Sequence, residues 1–265
     1  MIIDTMLQAA IAAAEVILDV YSRPIASEAK SDGSPVTEAD GRAEAVILEH
    51  LRELGIPVLA EESVAAGRIP DLGTQFFVVD PLDGTKEFLK RNGEFTVNIA
   101  LVEGRAPKLG VVLAPVTGAI YWTGADGAMT GRVIDGSITE ARRIDTSVAE
   151  PLKIVASRSH GHAALAELCT SMNVVEDVSV GSSLKFCILA EGKAQLYPRF
   201  TPTSEWDTAA GQAVLEAAGG VVLGIDGAPL DCGHAERSYI NTFFVAAANR
   251  ALALEATAIM QRLVR

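Results

Sequence analysis

The chain has 265 residues, 49% of them hydrophobic and 21% charged, an ordinary globular composition with enough apolar mass for one large domain or two closely packed ones. Its formal net charge of -12 denies it the positive footprint that a nucleic-acid polymer or an anionic membrane requires, but an anionic substrate remains open if bound cations reverse the local field. Cys169, Cys187 and Cys232 have neither the pairing of a disulfide framework nor the spacing of a zinc ribbon, and are expected as reduced, mostly buried thiols.

Apolar residues recur at helical spacing from Ile3 to Tyr21, which predicts an amphipathic helix ending before Pro24. Asp4, Gln8, Glu15 and Asp19 interrupt it and no basic segment precedes it, against a signal peptide or membrane span. No other run has the length of an integral membrane segment, so the expected location is the cytoplasm, with peripheral association with the inner membrane left open. After a loop of Ser, Lys, Asp and Gly, Thr37-Glu38-Ala39-Asp40 has the pattern of a capping box ahead of a second helix closed by Gly55.

Pro57–Ala60 predicts a short strand running into Glu61-Glu62, and Phe76-Phe77-Val78-Val79 a buried central strand that stops at Asp80. Phe95 to Trp122 reads as an antiparallel meander with turns at Gly104 and Gly118, and Gly124–Ser147, rich in Gly, Asp and Thr, as the close of the first half. Beyond it, strands at Lys153–Ala156, Val174–Val178, Ala194–Tyr197, Val221–Leu223 and Thr242–Ala246 alternate with helices at His162–Met172, Leu184–Glu191, Asp207–Ala218 and Arg250–Leu263. The class is α/β, with a soft boundary near residue 150 between an N-terminal half, 1–150, and a C-terminal half, 151–265.

Asp80-Pro81-Leu82-Asp83-Gly84-Thr85 places two carboxylates three positions apart on a turn that can aim both of them, and the intervening carbonyl, into one space. Magnesium takes oxygen ligands at roughly 2.0–2.1 Å and keeps several waters, so carboxylates, a carbonyl and a substrate phosphate form a suitable set. Asp-Pro and Asp-Gly are also ordinary turn formers, Asp40 suits a capping acid, Asp207 suits a helix N-terminus and Glu61 a solvated strand end. What favours a site is that all these acids stand at element ends, where sites are usually built.

Glu61-Glu62-Ser63, Asp80–Thr85 and Trp206-Asp207-Thr208-Ala209-Ala210-Gly211, in this order and spacing, resemble the inositol monophosphatase superfamily of lithium-sensitive phosphatases over nearly the whole chain. The resemblance implies the layered αβαβα sandwich shared with fructose-1,6-bisphosphatases, a homodimer, and a phosphomonoesterase using two or three Mg2+ ions. It places Glu61, Asp80 and the Leu82 carbonyl around a first ion, Asp80, Asp83 and Asp207 around a second, and Asp40 near a weaker third. The implied chemistry is in-line attack on phosphorus by a water that Glu61 and Thr85 orient.

Lys86-Glu87-Phe88, Gly181–Cys187 and Tyr197-Pro198-Arg199-Phe200 are similar to the bacterial CysQ-type branch, the 3′(2′),5′-bisphosphate nucleotidases, which release AMP from adenosine 3′,5′-bisphosphate in sulfate assimilation. A second phosphate needs its own seat. Gly181, Ser182 and Ser183 ahead of a helix offer N–H groups and hydroxyls, with Gly84, Thr85 and Asp207 near the reacting group. Lys185 and Arg199 add charge unless they are surface cations, and Arg158 is a weaker candidate. Trp206 suits core packing, and the four histidines show no metal-ligand spacing. An inositol- or sugar-phosphate phosphatase, a metal-dependent nuclease and a non-catalytic metal or metabolite sensor are the competing readings. Glu61 and Thr85 weigh against the sensor, which need not orient a water.

Overall fold

The computed structural model describes residues 1–25, 27–29, 35–156 and 163–264. The chain opens with α1 (Ile2–Tyr21), a short ribbon β1 (Ser27–Ala29) and β2 (Pro35–Thr37), then α2 (Glu38–Arg52), whose N-terminus carries the expected capping box. A seven-stranded sheet follows, formed in spatial order by β3 (Val58–Ala60), β4 (Gln75–Asp83), β5 (Thr96–Glu103), β6 (Ala106–Leu113), β7 (Ala119–Gly124), β8 (Gly127–Ile134) and β9 (Ser137–Ile144). The short helices α3 (Glu61–Ala65) and α4 (Thr85–Leu89) leave the ends of β3 and β4. Within this sheet, among the described residues, β3 and β4 alone pair in parallel, so they bring the acids at their C-terminal ends to one edge.

The second half contributes a five-stranded sheet. Its strands are β10 (Leu152–Ile154), β11 (Val174–Asp177), β12 (Leu196–Arg199), β14 (Val221–Gly224) and β16 (Phe244–Ala247), in the order β11-β10-β12-β16-β14. Between them run α5 (Ala163–Ser171), α6 (Leu184–Ala190), α7 (Ala209–Ala217) and a ribbon of β13 (Thr203–Ser204) with β15 (Ile240–Asn241), and the chain closes on α8 (Arg250–Leu263).

Side-chain alternation along the strands sorts these elements into five layers. Phe77 and Val79 of β4 join α1 and α2 in one apolar cluster. Phe76 and Val78, on the opposite face, join α6, α7 and the near face of the small sheet through Phe186, Val214, Val222 and Phe244. Val245 and Ala247, on the far face, join α5 and α8. The order is therefore α1–α2, large sheet, α6–α7, small sheet, α5–α8, the expected αβαβα sandwich. The middle cluster draws on both halves, and the expected boundary near residue 150 falls between β9 and β10.

Gly124–Ser147, read as the close of the first half, also holds the hairpin of β8 and β9, which the sequence pattern did not show. Most of β9 is exposed or half-exposed, so the sheet continues there by backbone pairing without the apolar alternation that marks a strand in a sequence.

Candidate active site

Asp80 continues the alternation of Phe76 and Val78 and so faces the α6–α7 layer. It is 1% exposed, and its Oδ1 accepts the Leu82 N–H at 2.9 Å, folding the chain back on itself. The register against β5 shifts between Asp80, opposite Asn98, and Asp83, opposite Thr96. That irregularity re-aims Asp83. Gly84 follows at φ +98°, in the left-handed region that other residues avoid, and turns the chain directly into α4. The Thr85 hydroxyl at its start lies 3.2 Å from Asp40 Oδ1 and 3.5 Å from the Leu82 carbonyl.

Asp40 caps α2 as its sequence context suggests, and it also meets Thr85. Its Oδ2 accepts the Thr37 N–H at 2.8 Å and the Thr37 hydroxyl at 2.7 Å, while its Oδ1 serves Thr85. Glu61 is the first residue of α3, and that N-terminus is held by Glu44, a buried acid one turn beyond Asp40 on α2. Glu44 accepts the Glu62 N–H at 2.7 Å and the Ser63 hydroxyl at 2.6 Å.

Ser183 ties the two halves of the site together. Its N–H donates to Asp83 Oδ2 at 2.7 Å, and its hydroxyl lies 2.9 Å from the same oxygen and 2.7 Å from the Asp207 carbonyl. Asn98 Nδ2 donates to the Ser183 hydroxyl at 2.9 Å. Asp207 precedes α7, and its Oδ2 accepts the Ser204 N–H at 3.0 Å and the Thr203 hydroxyl.

Asp80, Asp83 and Asp207 each offer an oxygen within 4.8 Å of the others, a set that could hold a metal ion. Burial, then the charges of Glu61, Asp83 and Asp207, hold the Asp80 carboxyl well above the usual carboxylate range. Burial and the Asp207 charge push Asp83 up to about 6, against the pull of Lys185 and Ser183. Burial raises Asp207 too, against its bonds from Thr203 and Ser204. Such a group of buried acids resists full ionisation until a cation enters it. Its donors are all oxygen, which suits a hard divalent cation.

A cavity of about 140 Å³ adjoins these acids. Asp83, Gly84 and Asp207 line it together with Lys86, Lys185 and Arg199. Lys185 is not a surface cation, since it is 6% exposed, lies over the Tyr197 ring at 5.7 Å, and donates to the Ser182 carbonyl at 2.9 Å. Burial pushes its pKa down to about 8, with the Asp83 charge acting in the other direction. Arg199 is half-buried, and its charge pulls the Asp207 carboxyl down.

The expected seat on helix-end N–H groups needs correction. Gly181 N–H donates to Glu94 Oε2 at 2.9 Å and Ser183 N–H to Asp83, so these two residues spend their N–H groups on protein acids. Ser182 differs, since its buried hydroxyl lacks a hydrogen-bond partner among the described residues and the residue lines the cavity. Trp206 packs against the middle cluster. His50 meets the Val46 carbonyl, and His234 lies between Asp231 and Glu236. Arg158, His160 and His162 lie outside the described residues. Glu44, Glu94, Asn98 and Thr203 escaped the sequence reading; only Glu44, a buried-face acid four residues beyond Asp40, carries a signal there.

Carboxylates that call for a cation, beside cations that would draw an anion, suit a metal-dependent hydrolase of phosphoric monoesters. The chain belongs to the inositol monophosphatase family, whose model matches residues 2–264. It is 46% identical over 246 residues to the 3′(2′),5′-bisphosphate nucleotidase CysQ of Escherichia coli O6:H1, covering 91% of this chain and 98% of that one. The crystal structure of CysQ from Bacteroides thetaiotaomicron superposes with a TM-score of 0.76 at 38% identity, covering 92% of this chain and 95% of that one. An IMPase of Thermotoga maritima has the same fold, with a TM-score of 0.77 at 22% identity over 99% of this chain and 97% of that one. No helix among the described residues is long and apolar enough to cross a membrane.

Proposed function

We propose that the chain is a Mg2+-dependent 3′(2′),5′-bisphosphate nucleotidase that converts adenosine 3′,5′-bisphosphate to AMP and phosphate. The observation that carries the reading is that Asp83 and Asp207 share one cavity with Lys185 and Arg199. A substrate with two phosphates can therefore present one to the acids and the other to the cations. The CysQ relatives support the choice of nucleotide over inositol phosphate.

In this reading Glu61, Asp80 and the Leu82 carbonyl would hold one ion, and Asp80, Asp83 and Asp207 would hold a second. Divalent cations bound there would polarise the phosphoryl group and neutralise charge as it develops. Asp40 holds the Thr85 hydroxyl through Oδ1, and the family likeness would place a third, weaker ion near it. A Thr85 hydroxyl that donates to Asp40 keeps its lone pairs for the hydrogen of an attacking water, so it fixes the direction from which that water meets phosphorus. Glu61 orients the same water. The new bond joins water oxygen to phosphorus as the bond from phosphorus to the ribose 3′-oxygen breaks; the water gives up a proton to solvent and the leaving oxygen takes one up as the 3′-hydroxyl of AMP. Ser182, Lys185 and Arg199 take the phosphate that is kept.

A homodimer and a cytoplasmic location complete the proposal, supported by the family likeness and the acidic composition. Phosphorus NMR of the product from adenosine 3′,5′-bisphosphate tests it. The expected product is adenosine 5′-monophosphate with free phosphate, and release of the 5′-phosphate instead would overturn the orientation in the cavity.

A further inference from the structure

Glu94 stands between the two turns on which the proposed function depends. A Cβ at Gly84 would lie 3.3 Å from the Glu94 carbonyl oxygen, and one at Gly181 would lie 2.6 Å from that same oxygen. Both turns are thus fitted against a single peptide group. The Glu94 side chain adds a direct bond, its Oε2 accepting the Gly181 N–H at 2.9 Å. Two residues on, Ser183 is held independently by Asp83 and Asn98.

Ser182 lies between these anchors at φ +49°, a conformation that residues with a side chain disfavour and that outside contacts must maintain. Its buried hydroxyl lacks a hydrogen-bond partner among the described residues, and its carbonyl accepts from the Lys185 ammonium. The Glu94 carboxylate fastens the upstream end of this strained segment, and Lys185 is fastened to the segment in turn.

We propose that Glu94 is a positioning residue for the phosphate that is not cleaved, holding Gly181 and Ser182 so that Ser182 and Lys185 address the cavity. The inference rests on the bisphosphate reading above. Glu94 acts on recognition and not on the attacking water, because the acids and Thr85 keep their own contacts when the Gly181 bond is lost.

The test compares Glu94→Ala and Glu94→Gln in the full chain with Mg2+, on adenosine 3′,5′-bisphosphate and on adenosine 3′-monophosphate, which lacks the second phosphate. If the unmodified protein does not prefer the bisphosphate, the functional reading fails and takes this proposal with it, whatever the variants do. Given that preference, Glu94→Ala should raise KM for the bisphosphate about tenfold while kcat, and both constants for the monophosphate, stay within about twofold. Glu94→Gln keeps an oxygen that accepts the Gly181 N–H and should restore KM to within about threefold of the unmodified value. Equal losses on both substrates, an unchanged KM, or a glutamine variant no better than alanine would overturn the proposal. Should Glu94→Ala fail to fold, Glu94→Met takes its place, since it keeps the bulk of the side chain and has no oxygen to accept the Gly181 N–H. A KM defect confined to the bisphosphate is expected, and a defect shared by both substrates contradicts it.

Discussion

The Thr85 hydroxyl lies 3.2 Å from Asp40 Oδ1, joining the start of α4 to the first turn of α2 across 45 positions of sequence. Asp40 cannot swing away, because Thr37 donates twice to its other oxygen. The pair therefore gives a hydroxyl of fixed direction at the edge of the acid cluster.

Thr85→Val keeps the shape of this side chain and removes the hydroxyl. On the proposed mechanism kcat falls by about 100-fold or more, the scale expected when a group that handles the water's proton is lost, while KM changes little. Thr85→Ser should recover most of the rate. Steady-state kinetics on the two variants checks this, and a valine variant of near-normal kcat would remove Thr85 from the mechanism.

Asp83→Asn keeps an oxygen for the two Ser183 donors, so the turn should persist and circular dichroism should be unchanged. Burial and the Asp207 charge disfavour the Asp83 anion, so the metal-free variant should melt at the same temperature or higher. Mg2+-dependent turnover should fall by about 100-fold or more, because a ligand charge is lost. A variant that lost stability and kept its activity would reverse the assignment.

How much of this was readable in the sequence depended on how local each signal is. The Asp80–Thr85 turn is contiguous and follows four apolar residues of β4, so its place at a strand end could be read directly. The capping box of Asp40 was legible for the same reason. Ser183 and Asn98 lie 85 positions apart, and Gly181 and Glu94 87, so nothing in either segment announces its partner. Lys185 likewise reads as a possible surface cation until the fold buries it against Tyr197. The β8–β9 hairpin was missed because its outer strand is wetted on both faces, which erases the alternation that identifies a strand.

Lys185 carries a cost that its replacement should expose. Burial drives its pKa from 10.5 down to about 8, so the charged form destabilises the fold at neutral pH by on the order of 3 kcal/mol. Its folded pKa lies below the unfolded one, so this penalty is fully present below about pH 8 and fades as the pH rises from there towards the unfolded value. Lys185→Met, similar in shape and uncharged, should therefore hold or raise the melting temperature at neutral pH. It should lower kcat/KM for adenosine 3′,5′-bisphosphate about tenfold or more and leave adenosine 3′-monophosphate nearly unaffected. Loss of stability without loss of selectivity would make Lys185 a packing residue.

Protons and Mg2+ should compete for the acid cluster. The folded pKa of Asp83, about 6, lies above its ordinary 3.8. The metal-free folded state thus binds more protons than the unfolded state between those values, and this group's contribution to stability falls as the pH rises through them. A cation must displace those protons, so at this one carboxylate its affinity should grow about tenfold between about pH 5 and pH 7. The Mg2+-induced rise in melting temperature should accordingly be larger at the higher pH. An equal or larger rise at the lower pH would separate Asp83 from the ion.

Selection of a nucleotide with two phosphates is read from the ratio of kcat/KM for adenosine 3′,5′-bisphosphate to that for inositol 1-phosphate, with Mg2+. Charge-assisted hydrogen bonds contribute roughly 1.5–3 kcal/mol each, so contacts from Lys185 and Arg199 to the second phosphate predict a ratio of about 100 or more. A ratio near or below unity would contradict the nucleotidase assignment while leaving a metal-dependent phosphatase of the inositol monophosphatase family in place.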